Sequence, residues 1–238
     1  MKRIPRVNFS YPIVVFDTET GGLSSSAQVR WNLNVDLSKT GEKITGEVLK
    51  PPAPILELGA VLLNPITLEE EDSFHTYCGP NDGESLEGLI SRCDAEALKV
   101  NGFDSGERRD ALASAPPMKE ALENWIKWLR KATDSKHHNM PRKFIPCGQN
   151  VRFDIDMLNS AFQREGIRFS MKTQPIELIN FAMVYFGLPH TGSVARYRLE
   201  VVAEALGIST ADAHTALADV RMTAKCLRIF LDEFTSGA

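Results

Sequence analysis

The chain has 238 residues, 43% hydrophobic and 24% charged. That balance excludes wholesale disorder, and the length is enough to bury a sizeable core. Its 27 Lys and Arg against 31 Asp and Glu leave a net charge of −4, which excludes a protein that coats a polyanion through bulk charge but leaves room for a local basic rim around an acidic site. Cys78, Cys93, Cys147 and Cys226 contain no CxxC spacing, so free thiols are predicted rather than a disulfide frame or a zinc site. The apolar run Ile13 to Phe16 is too short for a signal peptide, and no stretch reaches the ~18 apolar residues of a membrane span. A soluble, cytoplasmic protein with no membrane partner is expected.

In chain order, Ile13-Val14-Val15-Phe16 predicts a strand buried on both faces, ended by Thr20-Gly21-Gly22. Val29, Trp31, Leu33, Val35 and Leu37 alternate with polar residues, the period of a half-buried strand. Ser38-Lys39-Thr40-Gly41 then reads as a turn and Ile44 to Leu49 as a return strand. Residues 24–54 are therefore read as an inserted β-hairpin, closed by Pro51, Pro52 and Pro54, within a single domain over 1–238. Ile55 to Leu63 and Ser73 to Cys78 predict two further strands, in a meander with the first. Helices are predicted over Asp94 to Val100, Pro117 to Arg130, Asp154 to Glu165, Ile176 to Phe186, Leu199 to Leu206 and Thr215 to Phe234. Phe144 to Cys147 reads as a strand in which Pro146 implies an edge or a bulge. Strands first, then strand and helices, give an α/β sheet covered by helices.

Carboxylates mark the chemistry. Asp17-Thr18-Glu19 ends the first strand, and residues two apart on a strand share a face. Two carboxylates leaving one side of a sheet repel unless a cation sits between them, and hard oxygen donors suit Mg²⁺ or Mn²⁺. On its own such a DxE equally describes solvated charges at a strand end. The second stretch runs from Asn150 through Phe153-Asp154 to Leu158. Asn150 is predicted as a helix N-cap and Asp154 in the first helical turn, where the dipole favours a negative charge. The third is His214-Thr215-Ala216-Leu217-Ala218-Asp219. Five residues on one helix are about 140° apart, so His214 is placed on the approach to the helix or in its first turn, with Asp219 inside it. A histidine beside a carboxylate metal cluster is a natural general base.

The order DxE, NxxFDxxxL, HxAxxD resembles the DEDD exonuclease superfamily in its histidine-bearing DEDDh branch, over Val14 to about Leu227. Proofreading subunits of bacterial DNA polymerases, ribonuclease T and oligoribonuclease belong to that branch. ILELGAV resembles the family's second strand, EALKVNG its EAxxVHG stretch and YRLEVVAEALGI the helix before the last motif. Two departures stand out: the 24–54 insertion is longer than the usual connection there, and Asn101 takes the place of a common His. The resemblance implies a ribonuclease H-like mixed β-sheet flanked by helices. It implies two Mg²⁺ or Mn²⁺ ions held by Asp17, Glu19, Asp154 and Asp219, and His214 as base. The reaction implied is 3′→5′ hydrolysis of single-stranded nucleic acid, DNA before RNA, to nucleoside 5′-monophosphates. An exoribonuclease and a non-catalytic binding module on the same fold are the alternatives.

For substrate binding the resemblance implies Thr20, Gly21 and Leu23, through backbone N–H groups and an apolar wedge. Asn150 reads as a substrate contact or only a cap, and Phe153 as a stacking ring or core. Arg196, Arg198, Arg221 and Lys225 read as phosphate contacts or solvated charges. A polymerase or a second copy of the chain is a compatible partner. The 24–54 hairpin is read as an arm bordering the site. Deleting 28–49 tests this, since an unchanged KM on both long and short substrates would leave it a mere extension of the sheet.

Overall fold

A computed structural model describes residues 7–25, 28–31, 46–50, 52–133, 143–171, 174–188, 191–211 and 213–236. Its elements in chain order are strands β1 (Ile13–Thr20), β2 (Gln28–Trp31), β3 (Gly46–Lys50), β4 (Ile55–Leu63) and β5 (Glu70–Tyr77), then helices α1 (Leu86–Ser91), α2 (Ala95–Val100), α3 (Gly106–Ser114) and α4 (Met118–Ala132). The chain continues through β6 (Ile145–Gly148), α5 (Val151–Arg164), β7 (Ile176–Glu177), α6 (Leu178–Tyr185), α7 (Leu199–Ala205) and α8 (Ala216–Ser236).

Five strands form one mixed sheet in the order β5-β4-β1-β6-β7. The first three strands of that sheet in sequence, β1, β4 and β5, run as an antiparallel meander, while β1–β6 and β6–β7 are parallel. This is the expected α/β sheet flanked by helices. β1 lies at its centre, and the alternation of its side chains splits the core in two. Val14 and Phe16 pack with Leu122, Trp125 and Ile126 of α4 and Ile155, Leu158 and Phe162 of α5. Ile13 and Val15 pack with Leu178 of α6, Val202 of α7 and Val220, Leu227 and Phe230 of α8. A strand covered on both faces is apolar along its covered length: β1 is so from Ile13 to Phe16, and β4 throughout except at Glu57.

β2 and β3 pair antiparallel as a separate two-stranded sheet, with Val29 opposite Val48. The predicted turn at 38–41 lies outside the described residues. The base of the segment is clamped: Gly21 N–H donates to Pro54 O and Ala53 N–H to Ser24 O, both at 2.8 Å.

Three readings change. Pro146 is not on an outer strand, since β6 lies between β1 and β7. Ile145 N–H, however, points to Pro12 O on the β1 side, so Pro146 turns its missing donor the other way, where β7 pairing begins only at Cys147. The predicted helix from Ile176 starts two residues late, because Ile176 and Glu177 first pair with β6. Helices α1 and α3 bury one residue each, Leu89 and Leu112, which leaves no apolar stripe to reveal them. Among the described residues, no helix is long and apolar enough to cross a membrane. The four cysteines are free. Burial pushes the thiols of Cys78 and Cys226 up to about 12, which suits packing rather than reactivity.

Candidate active site

The alternation that gives β1 two apolar faces continues to its end. Asp17 and Glu19 follow Ile13 and Val15 onto the α8 face, and Thr18 follows Phe16 onto the α5 face. Oxygen atoms of Asp17, Glu19 and Asp219 lie within 4.8 Å of one another. Asp219 reaches the group because α8 lies almost in contact with the sheet. A Cβ on Gly59, the β4 residue directly opposite Asp17, would meet Ala216 C at 2.5 Å and Leu217 N at 2.6 Å. Only glycine admits the helix backbone at that height. Thr215 starts α8 by accepting the Ala218 N–H at 3.3 Å.

Asp154 arrives from the opposite layer. Its Oδ1 accepts the Thr18 N–H at 2.9 Å and the Thr18 hydroxyl at 2.6 Å. It lies outside the three-residue group, yet it is the strongest of the charged neighbours raising the pKa of Asp17. Asn150 does not cap α5 with its side chain; it sits in the left-handed region, at φ 56°. The cap is Glu177, whose carboxylate accepts the Asn150 N–H at 2.6 Å.

Burial and mutual repulsion push the whole cluster toward protonation. Asp17 is raised well above the carboxylate range, by desolvation first and then by Asp154, Glu19, Asp219 and Glu57. Glu19 is raised to about 8 by desolvation, Asp219 and Glu57, with Arg108 opposing. Asp154 is raised to about 7 by desolvation, against the two Thr18 hydrogen bonds. Asp219 is raised to about 6 by desolvation, against the His214 N–H. Carboxylates crowded out of water in this way fit a hard divalent cation held through oxygen.

His214 lies in the turn just before α8, at φ 71°, a backbone state that costs on the order of 1–3 kcal/mol outside glycine. Its N–H reaches Asp219 Oδ1 at 3.3 Å, its Nδ1 lies 3.8 Å from Glu200 Oε1, and its side chain is half exposed. A solvent-facing imidazole beside an acidic cluster can take a proton from water and hand it on.

Of the residues expected to meet substrate, Leu23 is 86% exposed and Phe153 packs against the core. Thr20 is buried and donates its hydroxyl to Gly22 O at 2.8 Å. The Gly21 N–H is already engaged by Pro54 O. Asn101 donates to Thr20 O at 3.1 Å and so braces the end of β1. Arg221 pairs with Glu70 at 2.8 Å.

Four residues escaped the sequence reading: Thr18, Glu57, Arg108 and Glu177. Glu57 left a signal, as the one charge in the nine-residue, fully buried strand β4. It is 1% exposed and is held by Arg108 and by His75 Nε2 at 2.7 Å. Arg108 and Glu177 left none, since their partners are remote in sequence.

A sequence model of the exonuclease family (RNase T) matches residues 14–227. No curated protein matches the chain in sequence. Among solved structures, the nuclease domain of 3′hExo, described as a DEDDh family member bound to rAMP, is 18% identical with a TM-score of 0.63, and 96% of each chain is covered. Exonuclease I of E. coli in complex with a dT13 oligonucleotide is 17% identical with a TM-score of 0.62, covering 92% of this chain and 41% of that one. The same enzyme in complex with SSB-Ct is 16% identical with a TM-score of 0.61, covering 96% and 42%. The chain thus spans about two fifths of exonuclease I. It belongs to the exonuclease family, and its motifs stand in the order that resembles the DEDDh branch.

Proposed function

We propose that residues 1–238 act as one exonuclease domain that removes nucleotides singly from the 3′ end of single-stranded DNA. One observation supports this above the others: carboxylate oxygens of Asp17 and Glu19 on β1 and of Asp219 on α8 lie within 4.8 Å of one another, with His214 on the turn that leads into the helix bearing Asp219. Asp17, Glu19 and Asp219 would hold two divalent ions, Mg²⁺ or Mn²⁺, and Asp154 would complete the set beside Asp17. Bound ions supply Lewis-acid polarisation and neutralise charge on the departing oxygen. His214 takes the proton of the attacking water. The new P–O bond forms as the bond to the 3′ oxygen breaks, giving a nucleoside 5′-monophosphate and a chain one unit shorter. Leu23, exposed beside the site, would pack on the terminal base.

The test is a degradation ladder on 5′-labelled DNA and RNA of matched sequence, with Mg²⁺, Mn²⁺ or chelator. Metal-dependent shortening from the 3′ end, faster on DNA, is expected. The fold is shared equally with a relative seen on dT13 and one seen with rAMP, so faster RNA cleavage would assign an exoribonuclease. No cleavage by folded, metal-supplied protein would overturn the enzyme reading in favour of a binding module. His214→Ala is expected to lower kcat by about 10²–10⁴-fold with metal binding retained, checked by steady-state kinetics and calorimetric metal titration. Full activity would remove His214 from the base role.

A further inference from the structure

We propose that Arg108 is a positioning residue for His214, holding the turn before α8 at a fixed height over the carboxylates. His214 is left-handed at φ 71°, a state uncommon for a residue with a side chain. Its own N–H makes only a 3.3 Å contact to Asp219, and such a conformation persists where the surroundings over-determine it. Arg108 supplies the constraint. One terminal nitrogen donates to the His214 carbonyl and the other to Glu57 Oε2.

Both ends of that bridge are informative. Glu57 sits on β4 directly across from Glu19 and is itself fixed by His75. The guanidinium lies over the Phe103 ring, 4.4 Å from its centroid, so its plane is set as well. A rigid fork therefore runs from the sheet, at the position facing one candidate metal ligand, to the backbone of the candidate base. Its charge also opposes the rise in Glu19's pKa, which places it in the field of the cluster. Lysine, a single point charge on a flexible stem, cannot reproduce two directed bonds from one plane. The inference rests on the reading of His214 as base.

The plain alternative is that Arg108 only neutralises a buried carboxylate, since an unpaired Glu57 would be costly. The pair Arg108→Met and Arg108→Met/Glu57→Gln separates the two, because the double variant leaves no uncompensated charge. With metal-loaded protein and a single-stranded oligonucleotide, kcat of the double variant should stay about 10–100-fold below wild type, the scale of a displaced catalytic group, with KM within about threefold. Adding His214→Ala to the double variant should lower kcat no further than His214→Ala alone, because the groups act through one another. Recovery of wild-type kcat in Arg108→Met/Glu57→Gln, or losses that multiply with His214→Ala, would overturn the inference. His214→Ala with full activity would instead overturn the base reading on which it rests.

Discussion

Asp17→Asn is expected to remove turnover altogether while stabilising the metal-free protein at neutral and alkaline pH. Both effects have one source. Asp17 is desolvated and faces three further carboxylates of the cluster, so its charge is unfavourable in the folded chain unless a cation is present. The sign follows from linkage. These groups titrate near 4 when the chain is unfolded, whereas Asp219, Asp154 and Glu19 are raised to about 6, 7 and 8 when it is folded. The folded protein then holds protons that the unfolded chain has released, and stability falls as pH rises. Their contribution is fully present below about pH 4 and lost progressively as pH climbs through 6, 7 and 8. Asn keeps the shape of Asp17 and removes both its charge and its repulsion of the others. Melting in chelator at pH 5 and pH 8 checks this. The wild type should lose more Tm between the two than the variant, and divalent salt at pH 8 should restore more to the wild type. A variant less stable than wild type at pH 8 in chelator would make Asp17 a structural residue.

Gly59→Ala is the second large effect, from a residue that bears no functional group. Its Cβ would fall 2.5 Å from Ala216 C and 2.6 Å from Leu217 N, backbone atoms that cannot rotate aside, so the start of α8 must lift. Overpacking of this kind costs about 1–3 kcal/mol, or a Tm fall of roughly 2–12 °C in a domain of this size. The larger consequence is chemical. Asp219 and the His214 turn are carried on the displaced segment while Asp17 and Glu19 stay with β1. A shift near 1 Å is enough to lower kcat by about 10²-fold. Steady-state kinetics on protein verified as folded checks it, and a melting loss with unchanged kcat would mean that α8 yields without moving Asp219.

The strands that meet at the site were legible because the core demands them. β1 is apolar over its first four residues and β4 at all but Glu57, and Asp17 and Glu19 fall where the apolar run of β1 stops. The pairing of Asp17 with Glu19 on one face followed from the period of a strand alone. What stayed hidden were contacts between segments far apart in the chain. Thr18 reads as a spacer between two acids, yet it fixes Asp154 across 136 residues. Asn150 carries the composition of a cap but leaves that task to Glu177, which sits 27 residues on. Arg108 lies on a short helix with one buried side chain and meets a carbonyl 106 residues away. Periodicity reports which face is dry; it does not report who answers a polar group from another layer.

The clamp at the base of residues 24–54 separates two problems that a chain otherwise has to solve together. With Gly21 tied to Pro54 and Ser24 to Ala53, β1, which carries Asp17 and Glu19, ends and β4 begins at fixed points. Length in such a closed excursion is inexpensive, about 0.6 kcal/mol for each doubling. The segment is therefore free to lengthen, shorten or take on new contacts as a module. On this view the 28–49 deletion leaves kcat on the shortest substrates at its wild-type value, and the carboxylate cluster and the inserted segment can change independently.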